Sequence, residues 1–170
     1  NIKGEVTAKG YEDWIQCHSV QYGVGRGISM AVGSGERRES TNPSISEVTC
    51  TKNMDKSSAP IFQESLVGTG SDIEIHLVQT GADQIDNYLQ LVLTDCLVSS
   101  YSVSSGGENP SESFSLNFTK IEMKYIPYDK DHNPGSPIPA GYDLNLAPLD
   151  LVGKTVGVEI YNSPDGDTPQ

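Results

Sequence analysis

The chain has 170 residues, enough for one domain with a single hydrophobic core and too few for two ordinary ones. Apolar and aromatic residues make up 35%, a lean supply that suits sheets or barrels better than a thick helical core. With 23 acidic against 11 basic residues, the formal charge is -12, which repels phosphate backbones and anionic head groups and argues against a nucleic-acid partner. No apolar run approaches the roughly 20 residues a bilayer span needs, and the N-terminal residues carry no signal-peptide core, so a soluble product made in the cytoplasm is expected, with no membrane insertion. The sequence starts at Asn1, without Met and inside strand-like residues, so upstream residues are expected to have been lost.

Along the chain, period-two alternation dominates. Within 14–24, Val20, Tyr22 and Val24 share one parity and Ile15 and Cys17 the other, so both faces of a strand there have partners to meet. Residues 25–44 combine Gly25, Gly27, Gly33 and Gly35 with Ser29, Arg26, Glu36, Arg37, Arg38 and Glu39, and show no period. A mixed-charge loop of this length inside a compact domain is functional or disordered. A strand over 46–52 turns Val48 and Cys50 to one side. One helix follows, with Ser58 as its cap, Pro60 in the first turn, Ile61, Phe62 and Leu66 as a stripe, and Gly68 past its end.

The strand over 72–79 sets Ile73, Ile75 and Leu77 against Asp72, Glu74 and His76, which points His76 to solvent. Thr80-Gly81-Ala82-Asp83 predicts a hairpin into 88–104, where Leu89, Leu91 and Leu93 alternate, the phase shifts over 96–98, and Tyr101 and Val103 follow. That pattern is a long, bent strand. Gly106-Gly107 marks a second hairpin. Over 113–125 the apolar parity changes between Phe114, Leu116, Phe118 and Ile121, Met123, Tyr125, so a β-bulge near Thr119-Lys120 would keep one inner face, with Lys120, Glu122 and Lys124 on the wet one. Residues 127–139 form a connector, Val156, Val158 and Ile160 align as a further strand over 154–160, and 162–170 is an acidic tail. Seven or so strands and one short helix predict an all-β, mainly antiparallel barrel or sandwich, with the helix packed at a side or end.

Chemical signals are few. There is no nucleophile elbow, no H-E-x-x-H, no C-x-x-C and no P-loop. Gly23, Gly25 and Gly27 are spaced for flexibility and precede a loop, whereas a phosphate site needs a helix N-terminus. Asp129, Asp131 and Asn133 alternate as in calcium loops, but Gly135 is one place late and Ala140 stands where the bidentate Glu belongs, so a solvated turn is expected. Cys17, Cys50 and Cys96 are odd in number and far apart, which predicts buried free thiols, and His76 and His132 stand alone. The Asn117-Phe118-Thr119 sequon reads as ordinary strand sequence, and the carboxylates as solvated surface charge. No catalytic, cofactor-binding or metal-ligating residue is nominated. A binding module that stacks a ligand on Trp14 or exposed tyrosines is the alternative, and a small hydrolase using a His and a carboxylate lacks any motif.

Several blocks follow in a fixed order: Ile2-Lys3-Gly4-Glu5, Gly10-Tyr11-Glu12-Asp13-Trp14-Ile15, Ser19-Val20-Gln21-Tyr22-Gly23-Val24, the Gly/Arg loop, Ser46-Glu47-Val48-Thr49-Cys50-Thr51-Lys52 with Asp55-Lys56-Ser57-Ser58, then Tyr88-Leu89-Gln90-Leu91, Leu97-Val98-Ser99-Ser100-Tyr101, Gly106-Gly107, the stretch 112–125 and Gly141-Tyr142-Asp143-Leu144. Taken together they resemble the haemolysin-coregulated protein (Hcp) family of type VI secretion systems, the 46–58 blocks resembling the strand that enters the family's single helix and the later ones its closing strands. The family's first strand begins before Asn1, and 149–170 does not align, so the division is an Hcp-like β-barrel domain over 1–146 and a C-terminal extension over 147–170. The resemblance implies a hexameric ring, rings stacked into a hollow tube, a contractile sheath, a spike protein at the tip and small effector proteins in the lumen. It also implies export through the apparatus without a signal peptide, a non-enzymatic role and no cofactor. The residues point the same way: a thin-cored sheet with edges to protect can cover them with copies of itself. The 25–44 loop, with Gly25, Arg26, Gly27, Ser29, Glu36, Arg37, Arg38 and Glu39, is the expected contact to a neighbouring subunit or ring.

Overall fold

The computed structural model describes residues 2–29, 39–80 and 84–146. Its elements are β1 (Ser19–Gln21), β2 (Val24–Gly25), β3 (Ile28–Ser29), β4 (Glu39–Ser40), β5 (Ser44–Ile45), β6 (Val48–Asn53), α1 (Ser58–Val67), β7 (Ser71–Thr80), β8 (Ile85–Ser104), β9 (Ser111–Asn117), β10 (Lys120–Tyr125) and β11 (Ile138–Asp143). Seven strands form one antiparallel sheet that curls into a half-barrel, in the order β1-β6-β9-β8-β10-β11, with β7 on the other edge of β8. The expected strand over 14–24 shrinks to β1 and β2, because the chain leaves the sheet at Tyr22-Gly23 to enter a ribbon.

The spine is β8, 20 residues long and bent as its phase shift requires. Its inward residues run Leu91, Leu93, then Cys96, and at the skipped step Asp95 takes a φ of 49°. The opposite ladder makes the same step: Asn117 pairs with Leu97 and Lys120 with Thr94, so β9 and β10 follow one edge of β8 with a break at Phe118-Thr119. The break lets Phe118 and Ile121, three residues apart, both face inward, as the expected irregularity demands. Two matched parity shifts turn a flat ladder into a curved one.

The core lies on the inner face: Val48, Cys50, Ile61, Leu93, Cys96, Phe114, Leu116, Phe118 and Ile121 form one buried cluster. The helix covers one end of it, but less closely than the stripe predicts. Ile61 is buried, whereas Phe62 and Leu66 are 50% and 62% exposed. Ser58 is not the cap: Ser57 holds that position, and Ser58 is the first helical residue, its Oγ accepting from the Asp55 amide at 2.9 Å. The N-terminal stretch folds back on itself through Gly4 N to Asp13 O (2.7 Å) and Asp13 N to Val6 O (2.9 Å). This places Tyr11 and Trp14 against His76 of β7, with ring centroids 5.6 and 4.6 Å away. His76 therefore does not face solvent; Tyr11 Oη lies 3.1 Å from its Nδ1. The expected 154–160 strand and the turn residues 81–83 lie outside the described residues, though the flanking pair Thr80 and Ile85 closes the hairpin. No helix among the described residues is long and apolar enough to cross a membrane.

Candidate functional site

The 25–44 stretch is not an irregular loop at its base. Val24–Gly25 pairs antiparallel with Ser44–Ile45, and Ile28–Ser29 with Glu39–Ser40, so the segment leaves the sheet as a two-stranded ribbon. Between these pairs Gly27 N donates to Thr41 Oγ1 at 2.9 Å, Thr41 N to Gly27 O at 2.9 Å, and Arg26 Nε to Thr41 O at 2.9 Å. Period two was hidden because each strand is only two residues long and Gly interrupts the alternation. Gly25, Arg26, Gly27, Ser29 and Glu39 lie on this ribbon, while Glu36, Arg37 and Arg38 lie outside the described residues. Val24 and Ile28 are exposed on it, which is costly for β-branched residues in a free chain. Open hollows of about 500 and 280 Å³ flank Glu47 at the ribbon's root, and its carboxylate accepts from Ser99 Oγ (2.8 Å) and Asn117 Nδ2 (3.2 Å).

The outer sides of β1, β6, β9 and the β8 residues paired with β9 carry no charged side chain of their own, and Glu47, just before β6, borders them. Register places Gln21, Thr49, Ser115 and Ser100 in one row, Ser19, Thr51, Ser113 and Ser102 in the next, and Asn53, Ser111 and Ser104 in a third. Some of the hydroxyls pair across strands, Ser19 Oγ with Thr51 Oγ1 at 2.6 Å and Thr49 Oγ1 with Ser115 Oγ at 3.1 Å. In a chain where 20% of residues are charged, a four-strand face of hydroxyls and amides stands out.

Beneath it lies an ionic cluster that residue patterning missed. Lys52 and Glu112 are directly opposite on β6 and β9, both on the core face, at 0% and 1% exposure. Lys52 Nζ sits 2.7 Å from Glu112 Oε2 and 2.8 Å from Asp55 Oδ1, and donates to Ser58 Oγ at 3.2 Å. Tyr101 Oη donates to the other Glu112 oxygen at 2.6 Å. Burial pulls the Lys52 ammonium down, but bonds to Asp55 and Glu112 outweigh it and hold its pKa above the usual lysine value. Burial pushes Glu112 up, and Lys52, Tyr101 and Ser58 more than reverse that, leaving it below the usual carboxylate range. Burial and Glu112 together push the Tyr101 phenol up to about 12. The expectation of solvated carboxylates also fails at Asp86, buried and accepting from His132 Nδ1 (2.5 Å) and Gln84 Nε2 (2.8 Å). His132 is thus not alone. A readable signal existed for Lys52, which continues the Val48, Cys50 parity; for Asp86 and His132, 46 residues apart, none did.

The 129–135 stretch is a turn held by its own chain: the Asp129 carboxylate accepts from the Asp131 and Asn133 amides at 2.8 and 2.9 Å. The three cysteines are free, as expected, with Cys50 and Cys96 buried and Cys17 half-buried, and they are not scattered, since Cys17 packs against the core cluster that holds the other two. The neighbouring thiol lowers the Cys17 pKa and raises that of Cys50, and burial pushes Cys96 up to about 12. Trp14 is no open stacking platform, since Tyr11 meets it edge-on at 5.0 Å and His76 covers it. Among the described residues no three His, Cys, Asp or Glu side chains are grouped to hold a metal.

Residues 1–125 match the family model described as type VI secretion system effector, Hcp. No curated protein sequence matches the chain. Among solved structures, a type six secretion system protein is 23% identical with a TM-score of 0.76, covering 85% of this chain and 91% of its own. A type VI secretion effector from Yersinia pestis follows at 19% identity and TM-score 0.66, covering 84% and 94%. Hcp1 from Salmonella typhimurium is 22% identical with a TM-score of 0.61, covering 85% and 89%. At these identities the likeness is one of fold.

Proposed function

The chain belongs to the Hcp family of type VI secretion tube proteins, and from that premise we propose that six copies close into a ring and that rings stack into a hollow tube. A contractile sheath drives that tube, a spike protein tips it, small effector proteins travel in its lumen, and the chain is itself exported with them. The observation that carries this reading is the exposed ribbon of β2 to β5, which continues from β1, together with sheet edges at β1 and β7 that pair with no further strand among the described residues. Unpaired strand margins recruit other chains, and a closed ring is the arrangement in which identical copies satisfy them without growing indefinitely in the plane.

Within that ring we assign the uncharged hydroxyl face to the lumen wall. Its short side chains offer weak, exchangeable hydrogen bonds, which suits cargo that must slide and leave. The ribbon, with Arg26 and the charged residues 36–39, contacts a neighbouring subunit or ring. Sizing chromatography and negative-stain microscopy of the purified chain test the core of this reading. The expected result is a species near six times 18.3 kDa and annular particles; a lone subunit at micromolar concentration would overturn it.

A further inference from the structure

The outer edge of β11 ends the sheet and pairs with no strand among the described residues. Leu144 N donates to Thr119 O at 2.9 Å, which fixes the ladder's phase: the backbone groups of Tyr142, Ala140 and Ile138 turn to β10, and those of Asp143, Gly141 and Pro139 turn outward. Proline sits where its missing N–H would point away from the sheet, so Gly141 and Asp143 carry the outward donors and all three residues the outward acceptors. The side chains divide cleanly. Tyr142, Ala140 and Ile138 lie on the face of Ile121, Met123 and Tyr125, and that apolar face stops at the margin with Ile138 60% exposed. Asp143, Gly141 and Pro139 lie on the face of Lys120, Glu122 and Lys124. Directly after β11, the Asn145 amide closes a turn on Asp143 Oδ1 at 2.9 Å, so the chain begins to reverse where a returning strand would start.

Residues 147–170 lie outside the described residues, and their sequence supplies one segment that fits. Thr155 to Ile160 is six residues long, like β11, is rich in β-branched residues, and puts Val156, Val158 and Ile160 on one parity. We propose that Thr155 to Ile160 adds to β11 of its own chain as a final antiparallel strand, with Val156 opposite Tyr142, Val158 opposite Ala140 and Ile160 opposite Ile138. This register prolongs the apolar face by one strand, and it puts Glu159 on the polar face, opposite Pro139, whose other neighbour is Lys124. It gives the outward groups of Gly141 and Asp143 backbone partners and leaves one acceptor unpaired, the Glu159 carbonyl, which meets Pro139. The competing return, a tight hairpin bringing 148–153 onto β11, opens with Pro148 opposite Asp143 and sets Gly153 against Ile138, whereas the one glycine of the proposed strand, Gly157, meets Gly141 and leaves the apolar face intact. The proposal stands apart from the ring reading, and leaves the β1 and β7 margins free for neighbours.

Disulfide trapping in the full chain tests it. Opposite residues that do not exchange hydrogen bonds have the closest Cβ atoms, and Ala140 with Val158 is such a pair. The variants are A140C/V158C and A140C/L151C, oxidised with glutathione disulfide, which takes up the two electrons and leaves as two thiols. The expected result is a cross-link within one chain in A140C/V158C, formed about tenfold faster than in A140C/L151C. Hydrogen exchange of the unaltered chain adds a second reading, with the Gly141 and Asp143 amides slowed on the order of 100-fold relative to an open edge. Faster trapping of the 140–151 pair, cross-links only between two chains, or full-speed exchange at both amides would overturn the proposal.

Discussion

Lys52 follows Val48 and Cys50 on the inward parity of β6, so its ammonium has no route to water and must be neutralised where it lies. Glu112 and Asp55 do this, and Ser58 and Tyr101 occupy further hydrogen-bonding positions. Removing one partner of such a pair leaves a buried charge, so Lys52→Ala should cost about 3–5 kcal/mol, whereas Lys52→Met with Glu112→Leu should lie within about 2 kcal/mol of the parent chain. Urea unfolding decides; equal losses in the single and double variants would refute the account. The same groups set the pH range. Glu112, Asp55 and Asp86 are lowered in the fold, so each adds stability above its unfolded pKa, near 4, that is lost as pH falls through the folded value. Lys52 is raised and Tyr101 stands at about 12, so both add stability below their unfolded values, 10.5 and 10.0, that is lost as pH climbs toward the folded ones. Melting temperature should therefore be level between about pH 5 and 9 and fall on both sides, with the acid limb shallower in Glu112→Gln. A limb of unchanged steepness would show that other carboxylates govern it. Of these residues only Lys52 was legible, through its parity, because a pairing across 60 positions leaves no local trace.

The bend in β8 is made by backbone. Asp95 adopts a positive φ, its amide donates to Asp72 Oδ1 at 3.0 Å, and Gly70, with φ +89°, passes beside its carboxylate. A methyl group on Gly70 would stand 2.6 Å from Asp95 Oδ1, so Gly70→Ala meets both a disfavoured dihedral and a collision. Gly107 has φ +104° with nothing within 4 Å, so Gly107→Ala meets the dihedral alone. The first should cost about 2–3 kcal/mol and the second about 1, measured by thermal melts; equal costs would mean that the bend yields and the collision is relieved. Here the sequence was informative, because two parity shifts, at 96–98 and near 119, are what curvature looks like in one dimension, and the structure sets them opposite each other. The helix was half legible. Its stripe located α1 but not its exposure, since Ile61 alone reaches the core and Phe62 stops against Tyr101, with centroids 5.7 Å apart. The ribbon was legible only as an anomaly.

For the molecule as a whole, the sheet is self-sufficient on its inner face and unfinished at its margins. The described base of the ribbon is held by Gly27, Thr41 and the two short ladders, with Ile45 packed against the core. Residues 33–39 hold three of the loop's charged side chains beyond Arg26, at Glu36, Arg37 and Arg38, and Glu39 at the outer ladder. Deleting Gly33 through Glu39 should leave far-UV circular dichroism and urea midpoint within error of the full chain. Sedimentation, in contrast, should shift from a ring toward single subunits, by at least about tenfold in the association constant, because two or three desolvated charge contacts per interface carry on the order of 1–3 kcal/mol. High salt should weaken assembly of the full chain in the same direction and leave the deleted one little changed, since screening acts on charges the deletion has already removed. If the deleted chain sediments as the full one does, the ribbon is dispensable and the margins alone hold the copies together. If its urea midpoint falls, the ribbon belongs to the fold and the assignment of Arg26 and residues 36–39 to a neighbour fails.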